Sequence, residues 1–237
     1  MADIFRRVEK KYIITEAQYK VLKKALKDYM VEDEHGKSLI CNLYFDSSLY
    51  ELISHSITKP FFKEKIRLRS YNVPRKNSDV FLEIKRKCDG VVSKRRIGMK
   101  LFDFENYLND KNSLEHQSRQ IKSELDYYFD RYNLRPTMYV SYSREAFYQK
   151  DNMDFRITFD SNIIAREYDL NLDSENYGTR ILENGKYVME IKTLSSIPLW
   201  LVPILNELKI MPCGFSKYGE AYTQLVLGAN TCETCVV

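Results

Sequence analysis

Basic residues occur at every second position in several short stretches of this sequence, and the clearest stretch surrounds Arg67. Its cations are separated mostly by apolar residues, as in Lys63, Lys65, Arg67 and Arg69. Because successive side chains of a β-strand point to opposite faces, these four residues are predicted to form one row along a strand. Arginine and lysine side chains in such a row bind phosphate oxygens, so the row predicts a site for a polyanion.

Further stretches around Lys11, Lys85, Arg95 and Lys192 repeat this pattern, and two later segments each add an arginine. The formal net charge is only +4, so this concentration of cations must come from their arrangement rather than from the composition. A single solvated sheet face would be an ordinary explanation for one strand, but the rows together are mainly cationic. We therefore expect them to converge on one anion. Their members are Arg7, Glu9, Lys11, Lys65, Arg67, Arg69, Glu83, Lys85, Lys87, Lys94, Arg96, Arg144, Arg156, Asp160, Glu190 and Lys192.

Four acidic residues lie among these cations. If the sheet closes into a barrel with the charged face inward, its interior must be wet and hold an anion, because it is too charged for a dry core. Carboxylates are the hard oxygen ligands that Mg²⁺ and Mn²⁺ prefer, so the acids are candidates for a metal site. Each acid could instead neutralise its basic neighbours, and the sequence leaves both roles open. The four are Glu9, Glu83, Asp160 and Glu190.

Other phosphate and metal chemistries lack their motifs. No GxxxxGK[ST] motif occurs, and the chain has only 8 glycines, so a backbone cradle for phosphate is disfavoured. The three histidines, His35, His55 and His116, fall outside the charged rows. Their positions argue against histidine-based catalysis and against a zinc site with histidine ligands.

The cysteines and the chain start bear on the cellular compartment. An odd count of 5 cysteines and no N-terminal apolar segment lead us to expect reduced thiols and a cytoplasmic protein. No apolar run is long enough to span a bilayer. Cys232 and Cys235 form a lone CxxC pair, which is a weak signal for zinc or redox chemistry. The alternative is a frayed tail at residues 231–237.

Hydrophobic periodicity predicts an α+β protein, with the charged rows on strands and helices around them. Thr15 and Gln18 form a capping box, and Asp89-Gly90 predicts a hairpin turn that places Lys85 opposite Lys94. No linker divides the chain, so residues 1–230 are expected to form a single domain. Strands are predicted near 5–14, 38–46, 61–73, 80–88, 91–99, 138–148, 154–160 and 186–194, and helices at 16–29, 48–57, 101–109, 115–132, 199–209 and 217–228.

Seven segments, taken in order, resemble the VTC polyphosphate polymerase domain, a branch of the triphosphate tunnel metalloenzymes (the CYTH-like superfamily). The resemblance covers nearly the whole chain. It implies an eight-stranded antiparallel β-barrel tunnel with flanking helices, ATP as phosphoryl donor, polyphosphate as product, and Mn²⁺ or Mg²⁺ as cofactor. The matching segments are Arg7–Tyr12, Ile66–Arg69, Leu82–Lys85, Tyr142–Phe147, Arg156–Asp160, Glu190–Lys192 and Phe215–Tyr218.

The charged rows and the resemblance together assign a role to each candidate residue. The residues that would hold the reacting phosphates, and are assigned as catalytic, are Arg67, Arg69, Lys85, Arg144 and Arg156. Those assigned to bind the substrate elsewhere in the tunnel are Lys11, Lys65, Lys87, Lys94, Arg96, Lys192 and Lys217. The metal ligands would be Glu190, Glu9 and Asp160.

Two positions depart from the family pattern. Hydrolytic tunnel enzymes begin with an ExExK motif, and Arg7 stands here at its first acidic position. The loss of that acid favours the polymerase branch over two-metal hydrolysis. Cys213 and Gly214 stand where the eukaryotic polymerases carry an extra lysine, so the exit path is expected to be less basic.

Three activities stay open on these grounds: a polyphosphate polymerase, a tri- or nucleoside-triphosphatase of the same fold, and a non-enzymatic polyphosphate sensor. RNA binding is not expected, because Tyr44, Phe45 and Tyr71 do not interleave with the basic row at stacking positions. Eukaryotic relatives work within membrane complexes, so the resemblance allows a membrane partner, although this sequence does not encode one.

Overall fold

The structure, a computed structural model, describes residues 8–89, 91–114, 119–194 and 196–229. Its strands are β1 (Val8–Thr15), β2 (Met30–Asp46), β3 (Phe62–Tyr71), β4 (Asp79–Cys88), β5 (Val91–Lys100), β6 (Arg135–Gln149), β7 (Asn152–Arg166), β8 (Thr179–Arg180) and β9 (Lys186–Thr193). Its α-helices are α1 (Glu16–Tyr29), α2 (Glu51–Ile57), α3 (Leu101–Asn109), α4 (Arg119–Tyr132), α5 (Leu201–Glu207) and α6 (Lys217–Ala221).

The eight long strands form one antiparallel sheet in the order β1-β9-β7-β6-β2-β3-β4-β5, and the short β8 pairs with β7. Within the described backbone, the end strands β1 and β5 are not hydrogen-bonded to each other. The sheet nevertheless curls so far that Lys85 Nζ on β4 lies 3.3 Å from Glu9 Oε2 on β1. The predicted α+β fold with an eight-stranded, barrel-like tunnel is thus confirmed, with a side-chain contact between β1 and β4 across the concave face.

The convex face of the sheet is apolar, because alternate residues of its strands are aliphatic or aromatic. Leu68, Leu82 and Ile97 are fully buried there and belong to one cluster with Phe104 of α3 and Leu125 of α4. A second cluster lies beneath α1 and α5. Burying each such side chain contributes about 2–3 kcal/mol, which keeps the intervening charged residues on the concave face.

Helix α1 and the β4–β5 hairpin match their predictions. Thr15 Oγ1 accepts a hydrogen bond from the Gln18 backbone amide, and the Gln18 side chain accepts one from the Thr15 amide, so the capping box is present. In the hairpin, Lys85 pairs with Lys94 in the predicted register. The predicted turn residue Gly90 lies outside the described residues.

Two strands are longer than predicted, because bulges interrupt their alternation. β2 begins at Met30 rather than near residue 38, and its register against β6 shifts soon after that start. β7 continues past Asp160 to Arg166, beyond a register shift near Asn162, whose φ is 51°. A pattern with a period of two cannot be followed through such bulges, and the two-residue β8 is too short to show one.

The later helices are shorter than predicted. α5 begins at Leu201, and α6 ends at Ala221, where a π-helical turn continues to Val226. α4 is described from Arg119 onward, since residues 115–118 lie outside the described part, as does the predicted tail at 231–237. None of the described helices is both long and apolar enough to cross a membrane.

A buried carboxylate joins β2 to α2 and α6. Asp46, the last residue of β2, is fully buried. Its carboxylate accepts hydrogen bonds from the backbone amides of Leu52 and Ile53 at 2.9 Å and from the Tyr218 hydroxyl at 3.1 Å. Burial raises the pKa of Asp46 above its usual value, although these donors oppose the rise. Through Tyr218, Asp46 positions the helix that carries Lys217 into the tunnel.

Replacing this carboxylate tests its structural role. We expect Asp46→Ala to lower the free energy of unfolding by about 3 kcal/mol, because buried donors lose a charged acceptor. Asp79→Ala is the control, since Asp79 is 70% exposed and pairs with Lys100 at the surface. Urea denaturation would measure both variants, and a loss of less than about 1 kcal/mol for Asp46→Ala would contradict this role.

Candidate functional site

The concave face of the sheet gathers the predicted charged rows. Arg67 pairs with Glu83 across β3 and β4, and Lys85 lies between Lys65 and Lys94 in the ladder of β3, β4 and β5. The opposite wall comes from β1, β6, β7, β9 and α6. It contributes Glu9, Lys11, Arg144, Arg156, Asp160, Glu190, Lys192 and Lys217.

Glu83 is a fully buried carboxylate that holds two of the cations. Its Oε2 accepts hydrogen bonds from Arg67 Nη2 at 2.7 Å and Nε at 2.9 Å, and its Oε1 lies 3.3 Å from Lys94 Nζ. Burial alone would raise the pKa of Glu83, but Arg67, Arg69 and Lys94 outweigh it and lower the pKa to about 2. Of the two roles left open by the sequence, the geometry favours neutralisation for Glu83.

Asp160 performs the same task on the opposite wall. Arg144 donates to both of its oxygens, at 2.6 and 2.7 Å, and Lys217 Nζ lies 2.5 Å from Oδ2. Burial opposes ionisation of Asp160, but these two cations lower its pKa to about 2. Lys217 is 57 residues away in the chain, so α6 completes this cluster.

Glu190 is held more loosely than Glu83 and Asp160. Its Oε2 lies 3.6 Å from Lys192 Nζ and 3.9 Å from Arg144 Nη2, distances longer than a hydrogen bond. Burial would raise its pKa, but Lys192, Lys11 and Arg144 hold the pKa well below the usual value. Thr158, its neighbour in the ladder, buries a hydroxyl that has no hydrogen-bond partner among the described residues.

The arrangement around Glu190 fits a divalent ion that is shared with a substrate. The described residues contain no group of three or more His, Cys, Asp or Glu side chains that could enclose a metal. Mg²⁺ commonly binds through one or two carboxylates plus substrate phosphates, and Glu190 offers an ionised carboxylate for that purpose. Glu9 is its diagonal neighbour in the β1–β9 ladder but pairs with Lys85, whereas both oxygens of Asp160 already bind cations.

Two lysines contact the segment that precedes α6. Lys11 Nζ donates to the Phe215 carbonyl at 2.9 Å, and Lys65 Nζ donates to Ser216 Oγ at 2.7 Å. Burial lowers the pKa of Lys11 to about 8, with Glu190 opposing the shift. Burial and nearby cations lower the pKa of Lys65 to about 7. Both amines therefore titrate near neutral pH, and a bound anion would favour their protonated forms.

Sequence reasoning missed two polar residues that position Arg69. Tyr142 OH accepts a hydrogen bond from Arg69 Nη2 at 3.2 Å, and Asn42 Oδ1 accepts one from Arg69 Nε at 3.0 Å. Lys217 Nζ lies 4.4 Å from the centre of the Tyr142 ring. Burial would raise the pKa of Tyr142, but Arg144, Arg69 and Lys217 lower it to about 7. The sequence could have indicated Tyr142, because it lies two residues before Arg144 and therefore on the same face of the strand.

The remaining candidates lie toward the periphery. Lys87 is exposed near the end of β4, and Arg96 is exposed on β5. Arg156 is partly exposed and pairs with Asp33 of β2, with 2.9 Å between Nη2 and Oδ2. Arg7, on which the sequence distinguished polymerase from hydrolase, lies outside the described residues. The roles assigned to the candidate residues stay predictions.

Two solved structures align with this chain at very low sequence identity. A candidate adenylate cyclase from Bacillus halodurans aligns with a TM-score of 0.56 at 13% identity, covering 89% of this chain and 95% of that one. A candidate adenylate cyclase from Vibrio parahaemolyticus gives a TM-score of 0.46 at 12% identity, with coverage of 85% and 83%. The first likeness supports the tunnel fold, and at this identity it does not extend to the activity.

No curated protein matches this sequence. The sequence model of the VTC domain, in contrast, matches residues 6–226. That span includes all of the predicted charged rows and the segment around Lys217. The chain therefore belongs to the VTC domain family, and it has a tunnel fold.

Proposed function

We propose that this protein is a polyphosphate polymerase, which transfers the γ-phosphoryl group of ATP to a growing polyphosphate chain. One observation supports this proposal most: cations on the concave face outnumber the carboxylates that neutralise them. Glu83 and Asp160 each bind two cations, while Lys11 and Lys65 hydrogen-bond to neutral oxygens. An extended polyanion along the tunnel would supply the missing negative charge.

The arginines would act by positioning the phosphates and stabilising their charge. Phosphoryl transfer spreads negative charge over the oxygens and requires little covalent chemistry from the protein. Glu83 holds Arg67, while Asn42 and Tyr142 hold Arg69. Donors fixed in this way stabilise the transition state without reorganising during the reaction.

The opposite wall would bind the same phosphates from the other side. Asp160 fixes Arg144 and Lys217 there, and Lys85 lies across the tunnel beside Glu9. Two walls of fixed cations can align donor and acceptor phosphates, which removes much of the entropic barrier to their reaction. Arg156, nearer the periphery, would contact the same polyanion.

The family implies a divalent metal, and the residues present fit one. A bound Mn²⁺ or Mg²⁺ ion would neutralise charge on the phosphate oxygens. Glu190 would hold it, with Glu9 as the nearest further acid on the same face. Asp160 would keep its two cations in place and would contribute less to the ion.

A polymerisation assay with a matched control tests the assignment. We expect the purified protein to form polyphosphate from ATP and Mn²⁺, seen by staining on a gel. Arg67→Ala should lose at least about 100-fold in rate, because the transition state loses a fixed cation. Arg95→Ala should keep the wild-type rate, because Arg95 lies on the outer face and pairs with Glu124 of α4.

The products distinguish the other activities of this fold. Release of inorganic phosphate from ATP or tripolyphosphate, without polymer, would identify a triphosphatase. Polyphosphate binding without ATP consumption would identify a sensor. Either result, or full polymerase activity in Arg67→Ala, would contradict the proposed function.

A pH series tests the part played by the two low-pKa lysines. In the protein without a bound anion, Lys65 and Lys11 lose their protons as the pH rises through about 7 and about 8. A bound anion raises both pKa values, so tripolyphosphate binding should take up protons and weaken between pH 6.5 and 8.5 by about tenfold. Titration calorimetry at several pH values would measure the change.

Lys65→Arg provides the control for this series, because arginine stays charged throughout the range. Protonation of tripolyphosphate itself affects both proteins equally. The difference between their slopes of affinity against pH therefore measures the contribution of Lys65. We expect a flatter profile for Lys65→Arg around pH 7. Equal slopes for the two proteins would show that Lys65 does not bind the anion.

A further inference from the structure

Two aromatic side chains and an arginine share the concave face at the β5 side of the sheet. Phe81 of β4 lies opposite Arg69 of β3 and Gly98 of β5 in the ladders. Tyr71 lies two residues after Arg69, and Arg96 lies two residues before Gly98, so each pair shares one face of its strand. The group therefore borders the phosphate site directly, through Arg69.

The three side chains contact one another in a defined geometry. The Arg96 guanidinium carbon lies 4.8 Å from the centre of the Phe81 ring. The Tyr71 and Phe81 rings meet edge to face, with centres 6.0 Å apart and planes at 80°. A Cβ at Gly98 would lie 3.4 Å from the Phe81 ring, so the absence of a side chain there lets the ring pack close to the backbone.

Most of this group is exposed and Phe81 is half-buried, which core packing does not explain. Tyr71 is 49% exposed, and Arg96 and Gly98 are also exposed. The buried aliphatic residues of β3 and β4 point to the other face of the sheet. Charge pairing does not explain the group either, because Arg96 lies over an aromatic ring, and its ladder partner Glu83 is bound by Arg67 and Lys94.

Aromatic rings and arginine planes are the surfaces on which nucleobases stack. Such stacking is worth about 1–3 kcal/mol per base and tolerates different bases, because every base has a π-face. From the sequence, no aromatic residue was expected at a stacking position beside the basic row. In the fold, aromatic side chains do lie beside one end of that row, next to Arg69. Tyr71 continues the row of Arg67 and Arg69, and the neighbouring strand adds Phe81 beside it.

We infer that Phe81, Tyr71 and Arg96 form a stacking platform for the base of a nucleoside triphosphate whose phosphates bind beside Arg69. The inference rests on the proposed function. It adds where the base of the phosphoryl donor binds and that the donor is a nucleoside triphosphate. The platform offers aromatic ring surface and one cation, so it should bind a nucleoside triphosphate more tightly than the same triphosphate without its base. We expect purines to bind more tightly than pyrimidines because their stacking area is larger.

Three ligands separate the base from the phosphates: ATP, ribose 5′-triphosphate and inorganic tripolyphosphate. Titration calorimetry with the wild-type protein should show ATP binding about tenfold more tightly than ribose 5′-triphosphate. Phe81→Leu should remove most of this difference and leave the Kd for tripolyphosphate within about twofold. Phe81→Tyr keeps a ring and should keep the preference for ATP.

Tyr127→Leu is the matched control. Tyr127 is also an exposed ring beside an arginine, with Arg131 at 5.8 Å, but it lies on α4 outside the tunnel. We expect this variant to bind all three ligands as the wild type does. Thermal melting of each variant would show whether it is folded.

The outcomes separate the platform from the phosphate site. Equal affinities of the wild type for ATP and ribose 5′-triphosphate, with tight tripolyphosphate binding, would overturn the platform and leave the phosphate site intact. Parallel loss of all three ligands in Phe81→Leu would also overturn it, because the ring would then serve the fold. Failure of tripolyphosphate to bind the wild type would overturn the proposed function, and the platform with it.

Discussion

Burial of charge on the concave face is the constraint on which the rest of the structure depends. Glu83 and Asp160 are fully buried and ionised, so each requires cations close by. Arg67 and Arg144 meet that requirement with two hydrogen bonds each. Removing one member of such a buried pair is expensive, about 3–5 kcal/mol, because the partner stays charged. The acids thus hold the arginines in fixed positions, and the same positions suit a phosphate chain.

The fold supplies the parts of the site that lie far apart in the chain. The apolar residues at alternate positions of the strands pack on the convex side and hold the strands in register. This register aligns the cations of β3, β4 and β5 in rows. Asp46 binds Tyr218, and this contact brings α6 to the tunnel with Lys217 next to Asp160. The segment before α6 contacts Lys11 and Lys65. Helix α6 and the segment before it therefore connect Asp46, at the end of β2, to charged residues on both sides of the tunnel.

Local patterns in the sequence predicted most of the strands and the charged rows, because a period of two is visible along each strand. The Asp89-Gly90 turn even predicted the pairing of Lys85 with Lys94. The partners across the tunnel could not be predicted in the same way. Lys217 reaches Asp160, and Lys85 reaches Glu9, through the curl of the sheet, and no local pattern encodes that curl. The bulges in β2 and β7 also hid the extent of those strands.

A crystal structure with tripolyphosphate bound would test the central claim most directly, which is that the paired acids hold cations ready for phosphate. We predict phosphate oxygens within hydrogen-bond distance of Arg67, Arg69 and Arg144. Glu83 and Asp160 should keep their arginine partners, since the phosphates add to these pairs rather than replace them. Phosphate bound outside the tunnel, or bound inside with both pairs broken, would contradict the account.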